Sequence, residues 1–356
     1  MPLLPRRAPF PGDFLVNSLD LDSQFTPAGV VMATKILRRS LNQGLSTLAD
    51  RQSLQVLGQL AASRSLQVFL VGGSVREMAL GREVQDLDLA VSAQTLELAR
   101  ELAAALGGTY VLLDDSEGTA RVVWQGEILD LAEFRAPTLE GDLQARDFTL
   151  NALAVPLNAI LGQVPRKLID PLGGLEDLAR GRLRVVAPEN FHHDPLRLLR
   201  AYRFAATHGF QITPETTAAI RRWSPEFSRV AGERVHQELF ALLQAPRALP
   251  ELAAMDAVGL LGHVFPELEA MKGVEQNGYH HLDVYGHSLA TVASLEEVLG
   301  APEAYFGDIA AEIARYAKTR PKAVLLKLAA LFHDVGKPEV AERRANPDRY
   351  TAVQSG

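Results

Sequence analysis

Apolar and polar positions follow two different periods along the first half of this 356-residue chain. Apolar runs and two-residue alternation predict strands over 66–71, 84–91, 109–113, 119–124 and 127–134. Helical spacing of apolar residues predicts helices over 47–63, 74–80 and 93–106. Because strands and helices interleave, we expect an α/β domain with a mixed sheet.

Strand signals become sparse from residue 148 onward. A turn-rich connector over 165–186 ends in a short strand, and the remainder is helical in pattern. We therefore expect an all-α C-terminal region. The predicted division is an irregular, proline-rich arm at 1–46, an α/β domain at 47–155, a helical domain at 156–250 and a second helical region at 251–356.

Composition favours a cytoplasmic protein. The chain has no cysteine, no apolar stretch of about 18 residues, and no apolar segment after Arg6 and Arg7 that would form a signal peptide. We therefore expect no membrane partner.

The net charge of −7 argues against a nucleic-acid partner only if the charge is spread evenly. Residues 180–234 hold ten arginines against five acids and no lysine. A solvated surface is one explanation, but a run of arginines also favours phosphate binding.

The strongest candidate chemistry lies at Asp86 and Asp88. Alternation within the predicted strand sends both carboxylates to one face. The pair follows Gly72-Gly73, where a tight turn would bring backbone amides close to a phosphate. Two carboxylates beside such a turn predict a Mg²⁺ site. The alternative is an edge strand with solvated acids.

Asp130 is the third candidate carboxylate. It lies between Leu129 and Leu131 in a predicted buried strand, so its charge must be paired or metal-bound. Three carboxylates around two metal ions would suit in-line attack on a nucleoside triphosphate. We therefore group Asp130 with Asp86 and Asp88 as catalytic candidates.

A second cluster begins at Asp194-Pro195. This dipeptide predicts a helix start, which explains Asp194 as a cap but leaves the arginines unexplained. Asp194 and Arg197 lie one turn apart and present an acceptor beside a donor fork that could bind a nucleobase edge. Arg200 and Arg203 would then face phosphates.

Five ordered motifs between about residues 66 and 240 resemble the class II tRNA nucleotidyltransferase and poly(A) polymerase family. They are Val71-Gly72-Gly73-Ser74-Val75-Arg76, Asp86-x-Asp88, Arg146-Asp147-Phe148-Thr149-Leu150-Asn151, Asp170-Pro171-Leu172-Gly173-Gly174 and Asp194-Pro195-Leu196-Arg197. The resemblance implies extension of the tRNA 3′ end from CTP and ATP. It also makes 47–155 the catalytic head and 156–250 the neck.

The resemblance implies roles for individual residues. Asp86 and Asp88 would be the Mg²⁺ ligands, and Asp194 with Arg197 would select the base. The implied nucleotide-binding residues are Gly72, Gly73, Arg76, Arg146, Asp147, Asn151, Asp194, Arg197, Arg200 and Arg203.

Three departures from the family pattern bear on nucleotide choice. One arginine instead of two precedes Asp147, and His193 stands where the family has Glu. Only the stretch 136–145 separates Phe134-Arg135 from Arg146-Asp147, whereas members that add the terminal A usually carry a longer loop there. The short stretch resembles CC-adding enzymes, which leave the A to a separate partner enzyme.

The C-terminal region resembles the start of an HD-type metal phosphohydrolase. His287, His333 and Asp334 match its first ligands, with His280 and His281 as auxiliary candidates. Asp348 is too close in sequence to supply the last ligand, so we expect an incomplete site in a chain cut short.

The leading hypothesis is transfer of CMP, with or without AMP, to the tRNA 3′ end using Mg²⁺. The alternative within the family is a poly(A) polymerase or A-adding enzyme. The alternative of another class is an HD-type phosphohydrolase whose N-terminal half binds RNA.

Overall fold

The computed structural model describes residues 26–275, 282–319, 321–343 and 350–352. They form two compact units. The α/β unit contains residues 26–193 and 211–216, and the helical unit contains residues 194–210 and those from 217 onward. The auxiliary candidates His280 and His281, and Asp348, lie outside the described residues.

A six-stranded mixed sheet forms the centre of the α/β unit. Its strands are β1 (Val68–Val71), β2 (Asp86–Val91), β3 (Thr109–Asp114), β4 (Thr119–Trp124), β5 (Glu127–Glu133) and β6 (Ala154–Pro156). They lie in the order β3-β4-β5-β2-β1-β6. Only the β2–β5 pair in this sheet is parallel. The predicted mixed α/β fold is confirmed, but the short strand β6 was not predicted.

Eight helices accompany the sheet among the described residues of this unit. They are α1 (Pro27–Leu48), α2 (Gln52–Ser63), α3 (Gly72–Ala79), α4 (Thr95–Leu106), α5 (Leu139–Gln144), α6 (Leu157–Ile160), α7 (Gly174–Ala179) and α8 (Asn190–His193). A 3₁₀ turn covers Thr149–Asn151, and the short strands β7 (Arg182–Leu183) and β8 (Gln211–Ile212) pair in parallel.

Helix α1 corrects the prediction that residues 1–46 are irregular and that a helix starts at 47. The Thr26 hydroxyl accepts the Gly29 amide at 3.2 Å, and Pro27 occupies the first helical position, where a missing N–H costs nothing. Leu41 and Leu45 are buried on one face. Pro27 therefore begins a helix and does not interrupt one. Residues 1–25 of the predicted arm lie outside the described residues.

The strand predictions succeeded because the alternation is strong. Leu87 and Leu129 are fully buried on the strands that they occupy, so register is fixed by burial. The β4–β5 hairpin turns at Gln125 and Gly126, whose φ angles of 48° and 84° place both in the left-handed region.

Beyond residue 193 the chain is predominantly helical, as predicted. The helices are α9 (Leu196–His208), α10 (Pro214–Trp223), α11 (Gly232–Gln244), α12 (Leu249–Ala257), α13 (Leu260–Val264), α14 (Pro266–Met271), α15 (Val284–Gly300), α16 (Glu303–Phe306), α17 (Ala310–Lys318), α18 (Lys322–Phe332) and α19 (Lys337–Val340). A small antiparallel pair, β9 (Ala341–Arg343) and β10 (Tyr350–Ala352), is an exception to the all-α prediction. None of the helices in the described ranges is long and apolar enough to cross a membrane.

Candidate active site

Strand β2 presents Asp86 and Asp88 on one face of the sheet. Leu87, between them, is completely buried on the other face, while Asp86 is exposed and Asp88 is half-buried. The parallel register sets Asp88 opposite Asp130 on β5. The three carboxylates predicted from the sequence therefore lie on adjacent strands, with Asp86 two residues before the Asp88–Asp130 level.

The glycine turn at the start of α3 is hydrogen-bonded to strand β2. The Ser74 amide donates to Asp88 Oδ2 at 3.1 Å, and the Ser74 hydroxyl accepts the Asp88 amide at 2.7 Å. A Cβ on Gly73 would approach Asp88 Oδ2 to 3.0 Å, and Gly72 has a φ of +62°. The turn thus needs glycine, and it fixes the carboxylate in place. Ser74 was not among the predicted site residues, although it follows the glycine pair in the motif.

Burial raises the pKa of Asp88 above its ordinary value, and the nearby Asp130 acts in the same direction. The Ser74 amide, Arg146 and Arg76 oppose this shift. A nearby cation would stabilise the ionised form of such a carboxylate.

Asp130 is held by an arginine on the neighbouring strand. Arg121 Nε lies 2.7 Å from Asp130 Oδ1, and Arg121 Nη2 lies 2.8 Å from Oδ2, so the contact is a two-pronged fork. The hydrogen bond with Asp130 raises the pKa of Arg121, with smaller contributions from Asp86 and Asp88. The charge of Asp130 was predicted to need either an ion-pair partner or a bound metal ion. In the structure it has an ion-pair partner, Arg121. Arg121 was not predicted.

Arg76, Asn151 and Asp147 form one buried network. Arg76 donates to the Asn151 side-chain oxygen, and its Nε also donates to Glu77 at 2.8 Å. Asn151 Nδ2 donates to Asp147 Oδ1 at 2.9 Å, and the Phe148 amide donates to the same oxygen at 2.8 Å. Asp147 and Asn151 therefore position the chain that carries Arg146 and hold Arg76 in a fixed orientation.

Arg146 is oriented by a carboxylate that sequence reasoning missed. Asp142, on α5, is 1% exposed and accepts both Arg146 Nε at 3.1 Å and Nη2 at 2.9 Å. Arg146 Nη1 would lie 3.1 Å from a Cβ placed on Gly72, so the guanidinium borders the glycine turn. Asn190 donates to the carbonyls of Gln144 and Arg146 at 2.8 and 2.7 Å and anchors this segment.

The Asp170–Gly174 motif serves the fold, as expected for part of the turn-rich connector over 165–186. The Asp170 carboxylate accepts the amides of Gly174 and Leu175 at 2.7 and 3.1 Å, which caps α7. A Cβ on Gly174 would lie only 2.0 Å from the Thr149 carbonyl oxygen. The close approach of two backbone segments requires this glycine.

In the helical unit, Asp194 and Arg197 are neighbours as predicted, with Arg197 Nε 3.9 Å from Asp194 Oδ2. The Asp194 side chain accepts the Leu196 amide at 3.3 Å, so it caps the turn before α9 as well. Arg234, from α11, also donates to both Asp194 oxygens at 3.1 and 3.0 Å. This third member of the cluster was not predicted.

Arg200 and Arg203, predicted to face phosphates, are engaged with a carboxylate. Arg203 Nε lies 2.6 Å and Arg200 Nη1 lies 3.4 Å from the oxygens of Glu238 on α11. Arg203 also stacks on the Phe204 ring at 3.7 Å from its centroid. These contacts with Glu238 hold α9 against α11.

His287, His333 and Asp334 converge in the helical unit. One potential ligand atom from each lies within 4.8 Å of the others. His333 Nε2 is 3.1 Å and His287 Nε2 is 3.9 Å from Asp334 Oδ2. Lys337 Nζ occupies the same carboxylate oxygen at 2.7 Å. The predicted cluster exists, but its carboxylate is already paired with an ammonium.

Within the α/β unit, the structure brings together Gly72, Gly73, Arg76, Asp86, Asp88, Asp130, Arg146, Asp147 and Asn151. Asp194, Arg197, Arg200 and Arg203 belong to the helical unit. A mixed sheet with paired carboxylates beside a glycine turn defines the class of nucleotidyltransferase-like domains.

Comparison with known proteins agrees with this class. The model for the poly A polymerase head domain matches residues 68–184, and the model for the probable RNA and SrmB-binding site of polymerase A matches residues 209–272. The chain belongs to the tRNA nucleotidyltransferase and poly(A) polymerase family.

Three similar proteins are informative. The chain is 39% identical over 285 residues to the A-adding tRNA nucleotidyltransferase of Deinococcus radiodurans, covering 78% of this chain and 58% of that protein. It is 40% identical over 212 residues to the CC-adding tRNA nucleotidyltransferase of Geobacter sulfurreducens, covering 59% of this chain and 48% of that protein. A solved tRNA nucleotidyltransferase complexed with a primer tRNA and an incoming ATP analog matches with a TM-score of 0.61 and 28% identity, covering 78% and 75% of the two chains. The chain thus spans roughly half of the length of these curated relatives.

Proposed function

We propose that this protein transfers a nucleotide from a nucleoside triphosphate to the 3′ end of tRNA. The observation that carries the proposal is the position of Asp86 and Asp88 on one face of β2, with Ser74 of the glycine turn bonded to Asp88. Both curated relatives described above are named tRNA nucleotidyltransferases, which supports RNA as the acceptor.

The donor set fits a hard divalent cation, and we propose Mg²⁺. Asp86 and Asp88 offer carboxylate oxygens, and the raised pKa of Asp88 means that its charge lacks full compensation from protein groups. When bound, such an ion would lower the pKa of the tRNA 3′-hydroxyl and neutralise charge on the triphosphate. Asp130 would act by holding Arg121 beside the two ligands, since its own oxygens are engaged by that guanidinium.

The remaining residues would bind and orient the nucleotide. The turn at Gly72 and Gly73 admits a phosphate close to the backbone, and Arg76 and Arg146 would supply positive charge at fixed positions. Asp147 and Asn151 would keep these arginines in place.

We further propose that Asp194 and Arg197 select the base. The carboxylate presents acceptors and the guanidinium presents donors, a combination that fits the edge of a nucleobase. Arg234 would hold Asp194, while Arg200 and Arg203 would approach phosphates only after rearranging their bonds to Glu238.

The favoured incoming nucleotide is CTP. The stretch 136–145 is short and contains α5, with Leu139 and Leu143 buried, instead of a long loop. The A-adding relative makes ATP the alternative, and a poly(A) polymerase is the further alternative within the family. A separate A-adding enzyme would complete the CCA end if only C is added.

The test incubates the full chain with tRNA lacking CCA and, separately, with tRNA ending in CC. Each reaction contains CTP alone, ATP alone or both. The proposal predicts Mg²⁺-dependent addition that stops after two C residues, even with ATP present. Completion of CCA would overturn the CC specificity. Addition of a single A, and only to tRNA ending in CC, would favour the A-adding alternative, and a long A tail would favour poly(A) polymerase. Failure of any RNA extension would overturn the proposed function.

The cluster of His287, His333 and Asp334 stays a prediction of a metal site. The Lys337 ammonium competes for Asp334, so a cation would have to displace it. Titration with Mn²⁺ or Zn²⁺, compared with a His287→Ala/His333→Ala variant, tests for binding directly. Equal metal binding by the wild type and the variant would show that these residues do not form a metal site. We propose no hydrolase activity for the helical unit.

A further inference from the structure

One exposed face of α1 carries a row of cationic, amide and hydroxyl side chains. The row consists of Lys35, Arg38, Arg39, Asn42, Gln43 and Ser46, and their helical spacing places them side by side. A different face of the same helix buries Leu41, Leu45 and Leu48. The helix is thus fixed to the α/β unit by its leucines and offers this row, here called the α1 row, to solvent.

Arg166 joins the α1 row from the segment after α6. It lines the same open groove, which has a volume of about 500 Å³. Arg166 Nη1 donates to the Ser46 hydroxyl at 2.7 Å and approaches the Asn42 carbonyl at 3.4 Å. These contacts set the position of its guanidinium while its other N–H groups remain available for a ligand. Lys167 is exposed next to it.

The groove lacks compensating acids. Residues 26–48 and 157–169 contain no aspartate or glutamate, although the whole chain carries a net charge of −7. Within the described residues, Lys35, Arg38 and Arg39 make no ion pair with a carboxylate.

Several arginines over 180–234 are, in contrast, paired with carboxylates. Arg184 is paired with Asp177, Arg203 with Glu238 and Arg234 with Asp194. A positive surface without compensating carboxylates therefore lies on α1, outside the sequence segment where the arginine count is highest.

We propose that the α1 row and Arg166 bind the sugar-phosphate backbone of the RNA substrate, as a contact additional to the nucleotidyl-transfer site. The row from Lys35 to Ser46 is about 16 Å long at 1.5 Å per residue, enough for several successive phosphates. Its cations would bind phosphates, and its amide and hydroxyl groups would bind ribose 2′-hydroxyls. The choice of RNA as the polyanion rests on the proposed function.

An anionic membrane is the competing partner class, because Val31, Met32 and Ile36 on α1 are 55%, 60% and 54% exposed. The row itself favours RNA. It mixes arginine with three hydrogen-bonding neutral side chains and lies in the same unit as the candidate active site.

The experiment measures binding of labelled tRNA lacking CCA to the full chain, without nucleoside triphosphates, over a series of salt concentrations. The test variant is Lys35→Gln/Arg38→Gln/Arg39→Gln. The matched control is Arg247→Gln/Arg315→Gln/Lys318→Gln, which removes the same three charges from exposed positions that also make no ion pair among the described residues. We expect the α1 variant to bind tRNA at least tenfold more weakly at about 0.1 M salt, and its salt slope to fall by roughly 2.

Two further arms identify the ligand. Inorganic tripolyphosphate serves as a small-anion probe, and phosphatidylserine–phosphatidylcholine vesicles serve as a membrane probe. Loss of either of these interactions in the α1 variant, with unchanged tRNA binding, overturns the proposal. Equal tRNA affinity and salt slope in the α1 and control variants also overturns it. If the triple variant fails to fold, single Arg38→Gln and Lys35→Gln variants replace it, each with an expected slope decrease of roughly 0.7 to 0.9.

The outcome is separable from that of the proposed function. Wild-type protein that extends tRNA, with an α1 variant indistinguishable from the control in tRNA binding, would remove the inference alone. Wild-type protein that binds tRNA through the α1 row but adds no nucleotide would remove the proposed function alone.

Discussion

Asp142 provides the sharpest test of how the candidate site is organised. Its carboxylate is 1% exposed and holds the 12%-exposed Arg146 through two N–H groups at 3.1 and 2.9 Å. The Arg135 amide also donates to it at 3.2 Å. Asp142→Asn keeps the shape and one acceptor oxygen but removes the charge. Arg146 would then be a largely buried cation without its ion-pair partner.

The expected loss follows from these contacts. Breaking one side of a buried ion pair costs about 3–5 kcal/mol, and the retained amide oxygen reduces this to about 2–4 kcal/mol. For a unit of this size the midpoint of thermal unfolding should fall by roughly 6–12 °C. The KM for the nucleoside triphosphate should rise at least tenfold, because a displaced guanidinium no longer meets the phosphates in a fixed position.

The assay is a double-mutant cycle of Asp142→Asn and Arg146→Met, measured by urea denaturation and by nucleotide addition. We expect a coupling energy of about 2 kcal/mol in stability. Glu140→Gln on the same helix, where the side chain is exposed, is the matched control. A coupling below about 0.5 kcal/mol would refute the claim that Asp142 orients Arg146.

Three further predictions concern the supporting structure. Gly174→Ala should destabilise the protein by about 3 kcal/mol or more, because its Cβ would lie 2.0 Å from the Thr149 carbonyl oxygen, and a loss under about 1 kcal/mol in urea denaturation would contradict this. Burial raises the pKa of Glu251 from 4.5 to about 7, so unfolding free energy should fall as pH rises across this interval. Glu251→Gln should flatten the dependence of unfolding free energy on pH and stabilise the protein above pH 7 by up to about 3 kcal/mol. An unchanged slope of unfolding free energy against pH would show that Glu251 does not cause it. Glu238→Gln should lower the free energy of unfolding by about 1–3 kcal/mol, because it removes the charge that pairs with Arg203. Equal thermal midpoints for the variant and the wild type would show that this ion pair does not stabilise the protein.

The sequence was most informative where local alternation decides the structure. Asp86 and Asp88 are two positions apart on a strand whose intervening Leu87 must be buried, so their common face follows from geometry. Asp194 and Arg197 lie one helical turn apart, and their proximity follows in the same way.

Among the partners of the predicted residues, Arg234 reaches Asp194 from a position 40 residues along the chain, which spacing could not predict. Arg121 faces Asp130 across the β4–β5 hairpin, so that pair follows from the register of two predicted strands. Asp142 precedes Arg146 by four residues, a spacing that suits an ion pair on a helix, but the sequence pattern predicts no helix over 136–145.

The distribution of charge misled for a related reason. Counting charges over 180–234 gave a strong excess of arginine, but Glu238, just beyond that window, holds Arg200 and Arg203. The three cations of α1 lie in the segment 1–46, which its prolines predict to be irregular, so their common face emerges only from the helix that starts at Pro27. Net charge along a sequence does not identify which cations remain uncompensated after folding.

The central claim, that Asp86 and Asp88 carry the chemistry, is tested most directly by Asp88→Asn. The variant should retain the fold, measured by its thermal midpoint, and should lose nucleotide addition to tRNA at least a thousandfold at any Mg²⁺ concentration, since a neutral amide binds a divalent cation poorly. Asp114→Asn, an exposed aspartate at the end of β3 in the same sheet, should retain wild-type addition. Addition by a folded Asp88→Asn variant at a rate within tenfold of wild type would contradict the account.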